Sequence, residues 1–226
     1  MHVVVIRHHD IDTAALIAEA FEARGDRLHI HLVPDDGPFP ALDGVDHIVV
    51  LGAANSVNEQ GPAFAWIAAE LEWLRRADEA GVPVLGICFG AQALCAAFGG
   101  RVEAMPRHEI GWQLATPAEG SPIEPGPWLE FHGDRCLLPP QARVLARSDM
   151  AVQAFTIGPH LGVQFHPEVD GPELKRWLDA LGVRDVQQEG IDPDQFLADT
   201  IREEPASRVR AARLVATALD LARSAS

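Results

Sequence analysis

The sequence predicts an α/β fold, a three-layer sandwich in which a mostly parallel central sheet lies between two layers of helices. Short apolar runs of strand length alternate with longer segments of helical pattern through the first half of the chain. Some of these runs, such as residues 82–87, are apolar throughout, which is typical of parallel strands covered on both faces. With 226 residues the chain is long enough for one sizeable core. We expect a single domain over residues 1–226, with a core of about 1–182 and a helical extension of about 190–226.

Each predicted element of the first half follows from its local pattern. Asp12 is a candidate N-cap for a helix that Gly25 would end, and Pro62 suits the first turn of another helix. The predicted strands are residues 3–6, 28–33, 46–51 and 82–87, and the predicted helices are residues 13–24, 62–80 and 89–98.

The second half has a different texture, because clusters of glycine and proline separate short apolar runs. The pattern predicts a small β-hairpin region with strands at residues 111–116, 128–131, 143–147 and 151–157, then a strand at 161–165 and a helix at 171–181. Two further helices are predicted at residues 192–203 and 206–223. Apolar residues at helical spacing on the last one, Leu214, Ala218 and Leu221, predict that the extension packs as a cap on the sheet rather than acting as a lid or docking surface.

Cys88 lies at the boundary between a buried strand and an alanine-rich helix, and Gly86 and Gly90 flank it. This pattern is the thiol counterpart of the strained strand-to-helix turn that exposes a nucleophile, where glycine removes side-chain clashes. The turn aims free N–H groups of the helix at the reacting centre, and the positive helix end favours the thiolate. The alternative is a buried structural cysteine, which is the interpretation that we adopt for Cys95.

A nucleophilic thiol needs a base, and the base needs a partner that holds its tautomer. His166 is predicted to emerge at the end of a buried strand, and Glu168 follows at a distance from which its carboxylate can reach the imidazole. Strand ends at one edge of a parallel sheet lie together, so Cys88 and His166 can meet despite their separation in sequence. A solvent-facing histidine is the alternative for His166 alone, and the combined pattern favours the catalytic role.

Composition excludes several functional classes. The 33 acidic and 18 basic residues give a net charge of −15, which argues against a nucleic-acid partner. The apolar N-terminal run is too short for a membrane span, so we expect no membrane association there, and three cysteines with one reactive thiol suit the cytoplasm. No phosphate-binding or dinucleotide motif is present, so we expect no cofactor. Adjacent residues in His8-His9-Asp10 point in different directions, so we expect no metal site, although His8 can line a pocket.

The two motifs together resemble those of the class I glutamine amidotransferases, and more narrowly stand-alone proteins related to the glutaminase domain of GMP synthetase. Further segments support the narrower match in the family's order. The quoted segments are Ile48 to Asn58, Gly86-Ile87-Cys88-Phe89-Gly90-Ala91-Gln92, Glu109-Ile110-Gly111-Trp112, Phe131-His132-Gly133-Asp134 and His166-Pro167-Glu168. The resemblance covers roughly residues 1–180 and implies a flavodoxin-like arrangement of the sheet.

The resemblance implies roles for the matching positions. Cys88 would attack the side-chain amide carbon of glutamine, His166 would protonate the departing ammonia and later activate water, and Glu168 would orient His166. Backbone N–H groups of Phe89 and of the Gly52-Ala53 turn would hold the oxyanion. The residues implied to contact the amino-acid end of the substrate are Gln92, His132, Gly133 and Asp134.

The chain departs from the family pattern at two positions. Ala53 stands where the family usually has glycine, and alanine tolerates a positive φ less well, so we expect strain in the oxyanion loop or a hole that forms only with a substrate or partner bound. Loss of one oxyanion donor lowers rates on the order of 10²–10³-fold. Phe131 stands where tryptophan is frequent, which alters the expected pocket shape.

Three hypotheses follow. The first is a cysteine hydrolase that cleaves glutamine or a γ-glutamyl amide through a γ-glutamyl thioester. Its ammonia would pass to a separate synthetase subunit, or an amine would simply be released. The second is a binding or regulatory module of the same fold with weak catalysis, motivated by Ala53. The third is a peptidase on the same fold, against which Gln92 and the His132-Gly133-Asp134 segment favour a glutamyl pocket.

Overall fold

The computed structural model describes residues 1–33, 35–180 and 183–225, and it contains two sheets. The end of the predicted helix at residue 181 and the predicted core boundary near residue 182 lie outside the described residues. The ten strands are β1 (His2–Arg7), β2 (Arg27–Leu32), β3 (His47–Val50), β4 (Val84–Ile87), β5 (Arg101–Gln113), β6 (Thr116–Pro117), β7 (Trp128–Leu137), β8 (Arg143–Arg147), β9 (Val152–Ile157) and β10 (His160–Val163).

The main sheet has eight strands in the order β2-β1-β3-β4-β10-β9-β8-β6. The first five of these strands pair in parallel, and the last three extend the sheet with antiparallel pairs. Parallel strands end at a common edge, and the carboxyl ends of β1, β3, β4 and β10 therefore meet on one side of the sheet. This edge carries the residues that the sequence singles out.

Helices cover both faces of this sheet. Apolar side chains of α1 (Ala15–Glu22) and α6 (Pro193–Ala225) pack on one face, and those of α2 (Ala65–Glu79) and α3 (Phe89–Ala97) pack on the other. Alternate residues of each strand point to opposite faces, so Val3 and Val5 join the first cluster and Val4 and Ile6 join the second. The predicted α/β sandwich with a mostly parallel sheet is confirmed.

The predicted hairpin region is divided between the two sheets: β8 and β9 belong to the main sheet, whereas β5 and β7 form a separate antiparallel ribbon. This ribbon packs with α4 (Gly171–Ala180), α5 (Arg184–Gln188) and the start of α6 around a third apolar cluster. Among the described helices, none combines the length and apolarity that crossing a bilayer would require.

Two local predictions are wrong. The N-cap of α1 is Ala14 and not Asp12, because Glu173 of α4 binds the N–H and hydroxyl of Thr13 at 2.8 and 2.6 Å and thereby holds the segment before the helix. The two predicted C-terminal helices are one continuous helix through Pro205. Proline has no N–H, so the carbonyl of Ile201 has no donor within the helix. Because Ile201 and Pro205 are both exposed, water can bind that carbonyl. Packing of the residues on both sides of Pro205 keeps the helix intact.

Candidate active site

Cys88 is the single residue between β4 and α3. Its backbone has φ 51° and ψ −105°, a conformation that is strained for a residue with a side chain. The N–H of Cys88 donates to the carbonyl of Val163 at 2.8 Å, and its carbonyl accepts from the N–H of Gln92 at 3.0 Å. These bonds tie the strained turn to the neighbouring strand β10 and to the first turn of α3.

The flanking glycines are required by close backbone approaches. A Cβ at Gly86 would lie 2.5 Å from the carbonyl oxygen of Gly90, and a Cβ at Gly90 would lie 2.3 Å from that of Val50. Both distances are far below van der Waals contact, so neither position accepts a larger residue without backbone movement. The glycines that the sequence analysis singled out are thus explained by sterics.

His166 lies just beyond β10 and is buried with Glu168. Its backbone N–H donates to the carbonyl of Leu129 at 2.8 Å, and its Nδ1 lies 2.7 Å from Oε1 of Glu168. The ring packs edge-on against Trp177, with centroids 4.9 Å apart. Within the described part of the chain, Nε2 has no hydrogen-bond partner. Glu168 therefore fixes one nitrogen, and the other stays available.

The geometry around Gly52 shows that Cys88 and His166 converge. A Cβ at Gly52 would lie 3.0 Å from Cε1 of His166 and 3.7 Å from Cβ of Cys88. Gly52, Cys88, His166 and Glu168 line one cavity of about 560 Å³. This volume falls in the range of small-molecule sites.

The charges in the cavity act on His166. Burial, the largest single influence, lowers the pKa of His166, but the charges of Glu168 and Cys88 raise it, and the net result is a pKa well above the ordinary value. The imidazolium form of His166 is thus favoured. A protonated Nε2 facing a sulfur can give its proton to a leaving group and, once neutral, can take a proton from water.

The residues predicted to bind substrate also line the cavity, although several of their side chains are already engaged. Nε2 of Gln92 donates to Oε1 of Gln164 at 3.3 Å and to the carbonyl of Asp134 at 3.5 Å. The carboxylate of Asp134 accepts from the hydroxyl of Ser56 at 2.6 Å. A Cβ at Gly133 would lie 2.5 Å from the His108 ring, so the wall is closely packed there.

His132 is held by the ribbon. Its Nε2 lies 3.2 Å from a carboxylate oxygen of Glu109 and 3.2 Å from one of Glu130, and its Nδ1 lies 2.9 Å from the carbonyl of Asp134. Burial, the largest influence, lowers the pKa of His132, but Glu109 and Glu130 raise it to about 10. Burial raises the pKa of Glu130, whereas hydrogen bonds with His132 and others outweigh burial and lower that of Glu109. His132 is therefore a buried cation at neutral pH.

The two departures from the family pattern have structural outcomes. Among the described residues other than glycine, only Ala15 and Cys88 have a positive φ, so the strain that we expected at Ala53 is absent. Gly52 and Ala53 line the cavity, and Phe89 is the first residue of α3, where a backbone N–H has no intrahelical acceptor. Phe131 lines the cavity and packs edge-on against Trp177 at 5.8 Å.

A buried pair behind the cavity was not predicted from the sequence. The sequence allowed His8 to line a pocket, but its ring lies between Glu70 and the carbonyl of Gly52. The position of His8 at the end of β1 indicates that it lies near this edge of the sheet, whereas nothing in the sequence links His8 to Glu70. Asp12 was also missed as a cavity residue; burial and then Glu173 raise its pKa to about 6. The described residues include no cluster of three or more His, Cys, Asp or Glu suited to a metal ion.

Comparisons with known proteins identify the family of this chain. The family description "Glutamine amidotransferase class-I" matches residues 10–180. Over 177 residues the chain is 37% identical to a GMP synthase (glutamine-hydrolyzing) of Thermomicrobium roseum, which covers 74% of this chain and 31% of that protein. A GMP synthase of Brucella melitensis is 38% identical over 112 residues, which are 42% of this chain and 22% of that protein. The chain thus spans less than a third of these relatives.

Solved structures show the same fold. A glutamine amidotransferase of Thermotoga maritima superimposes with a TM-score of 0.87 at 25% identity, covering 96% of this chain and 97% of that one. One from Methylobacillus flagellatus, at 22% identity, superimposes with a TM-score of 0.82 and covers 97% and 94%. The matched residues include the cysteine turn and the histidine that lie together at the edge of the sheet. The chain belongs to the class I glutamine amidotransferase family.

Proposed function

We propose that this protein hydrolyses the side-chain amide of glutamine, or a related γ-glutamyl amide, with Cys88, His166 and Glu168 as its catalytic triad. The observation that supports the proposal is that these three side chains lie together. Cys88 sits on a strained turn beside His166, and Glu168 holds the remote nitrogen of that imidazole at 2.7 Å. A nucleophile, a base and an orienting carboxylate in this arrangement perform acyl transfer.

The reaction has two halves. In the first, the Cys88 thiolate attacks the amide carbon, and protonated Nε2 of His166 gives its proton to the nitrogen as the carbon–nitrogen bond breaks. Ammonia or an amine leaves, and a γ-glutamyl thioester remains on Cys88. In the second half, neutral His166 takes a proton from water, the hydroxide attacks the thioester, and glutamate leaves as the thiolate reforms.

The tetrahedral oxyanion needs donors on the cavity wall. We propose the backbone N–H of Phe89 and those of the Gly52–Ala53 turn, because both segments border Cys88. We assign the glutamyl end to the wall formed by Gln92, His132, Gly133 and Asp134, where His132 supplies a fixed positive charge. The presence of Cys88, His166 and Glu168 together argues against a module without catalysis, because such a module has no need of all three.

The fate of the nitrogen defines two branches. In one, ammonia passes to a separate synthetase subunit, because the GMP synthase relatives are more than three times as long as the matched part. In the other, the substrate is a γ-glutamyl conjugate whose amine is released to solvent. We further propose a cytoplasmic location, which suits the three free cysteines.

Product release across substrates tests the proposal. We expect the purified protein to release ammonia from glutamine, or amines from members of a γ-glutamyl amide panel, and mass spectrometry to find a γ-glutamyl adduct on Cys88. A glutamine-derived diazo-ketone should label the parent at one site, and Cys88→Ala should lose both labelling and turnover. The buried Cys95→Ala serves as the matched control. Equal labelling of Cys88→Ala and the parent would refute the assignment.

A further inference from the structure

His8 and Glu70 form a buried pair behind the oxyanion loop. His8 follows the last residue of β1, and Glu70 lies in α2; their side chains are 2% and 0% exposed. Nε2 of His8 lies 2.9 Å from Oε2 of Glu70, and Nδ1 lies 2.9 Å from the carbonyl oxygen of Gly52. The pair is therefore linked directly to the loop that borders Cys88.

Both partners of His8 are acceptors, which defines its protonation state. A carboxylate and a carbonyl oxygen can only accept, whereas a neutral imidazole has a single N–H to donate. The 2.9 Å contact to the Gly52 carbonyl therefore assigns an N–H to Nδ1, and the Glu70 carboxylate favours a second N–H on Nε2. The surroundings agree: burial, the largest influence, lowers the pKa of His8, but Glu70 and then Gly52 raise it, and the net pKa is raised.

The bond from His8 fixes the direction of a neighbouring N–H. The peptide between Gly52 and Ala53 is planar and trans, so the Ala53 N–H points opposite to the Gly52 carbonyl. That carbonyl faces His8, which lies behind the wall, whereas Gly52 and Ala53 border the cavity that contains Cys88. We infer that His8, held by Glu70, is a positioning residue that aims the Ala53 N–H at the developing oxyanion. The inference rests on the proposed function.

The same ring supports the second proposed donor. His8 packs edge-on against Phe89, with centroids 4.8 Å apart, and lies tilted against Trp66 at 5.1 Å. One side chain thus contacts both segments that supply oxyanion donors. A charge-assisted hydrogen bond is roughly twice as strong as a neutral one, so it holds the loop although residue 53 is alanine and not glycine.

Two substitutions of His8 separate the effect of losing its hydrogen-bond donor from the effect of changing the size of its side chain. His8→Leu keeps an apolar group of similar size and removes the donor, and we expect kcat to fall about 10–100-fold with KM nearly unchanged, somewhat less than the loss of a whole oxyanion donor. His8→Asn places an amide N–H near the position of Nδ1 and should recover most of this loss. Glu70→Gln leaves a neutral ring that can still donate to Gly52, so we expect a drop of only a few-fold.

A second readout excludes a merely structural effect. Alkylation of Cys88 by iodoacetamide develops no oxyanion, so its rate should be the same in the parent, His8→Leu and His8→Asn. The neighbouring His9→Leu is the matched control, because the His9 side chain is 56% exposed and its contacts with Asp10 and the N–H of Ile11 are local. Its kcat should equal that of the parent.

Each result of these measurements either supports or contradicts the positioning role of His8. Parent-like kcat in His8→Leu, or a loss matched by slower alkylation, would overturn the positioning role while leaving the proposed function intact. If His8→Leu does not fold, the other two variants decide. A kcat of His8→Asn close to that of the parent, together with a lower kcat of Glu70→Gln, supports the positioning role. A kcat of His8→Asn below that of Glu70→Gln contradicts it. A parent that turns over no substrate in the panel would refute the proposed function and this inference with it.

Discussion

Two buried histidines face the same cavity, and their surroundings differ in one decisive way. Among the described residues Nε2 of neither ring has an aligned hydrogen-bond partner, but only His132 has carboxylates beside it, those of Glu109 and Glu130 at 3.2 Å. At Nδ1, His166 has the carboxylate of Glu168 and His132 has the carbonyl of Asp134. The first ring has a nitrogen free to act on substrate, whereas the second has both nitrogens enclosed by acceptors.

The different surroundings of the two rings show how histidine can serve two purposes in one cavity. Burial lowers the pKa of His132, but Glu109 and Glu130 outweigh burial and raise it to about 10, with Cys88 as the smallest contribution, so at neutral pH the ring is a fixed charge. The pKa of His166 is raised partly by Cys88 itself, so its protonation responds to the state of the nucleophile. Proton transfer suits His166, and electrostatic support suits His132.

The sharpest test of this contrast removes the free nitrogen. We expect His166→Asn to lower kcat on the order of 10²–10⁴-fold, because general acid–base transfer is lost. Steady-state kinetics measure the loss, and thermal unfolding of the same preparation checks that the variant, which keeps an amide donor for Glu168, is folded. A kcat within a few-fold of the parent would remove His166 from the mechanism.

The reciprocal test removes the enclosed cation. His132→Gln leaves two buried carboxylates without their partner, so we expect the free energy of unfolding to fall by about 3–5 kcal/mol. Adding Glu130→Gln should recover part of this loss, because one unpaired charge is then neutral. Urea unfolding of the parent, the single and the double variant measures the difference. A single variant as stable as the parent would show that the three groups do not act as an ion cluster.

The smallest expected effect concerns the partner of His166. Glu168→Gln removes a charge that raises the pKa of His166, so that pKa should move down. In the proposed mechanism the protonated ring is required on the alkaline side, so the alkaline fall of kcat/KM should begin at lower pH, with kcat near neutrality reduced about tenfold. A pH profile between about pH 6 and 10 measures the shift. An unchanged alkaline limb would indicate that another group controls it.

Local patterns predicted the parts of the candidate site that local sterics require. The turn at Cys88 needs small neighbours because Gly86 and Gly90 touch backbone atoms, and this requirement is visible as a G-x-C-x-G pattern. The partner of His166 was also visible, because Glu168 is two residues away. Helix ends were predicted less well: Thr13 binds Glu173, a contact between distant segments that displaces the expected cap at Asp12.

The sequence by itself determined the alternation of strands and helices, and hence a parallel sheet whose strand ends gather Cys88 and His166 at one edge, because periodicity and glycine sterics act over a few residues. Only the tertiary structure decided the register that places Glu109 opposite His132 and the packing that joins His8, Glu70 and Gly52. It also decided the continuity of α6 through Pro205. These features depend on contacts between segments far apart in the chain, where charge, burial and solvent access are set by neighbours that no local pattern names.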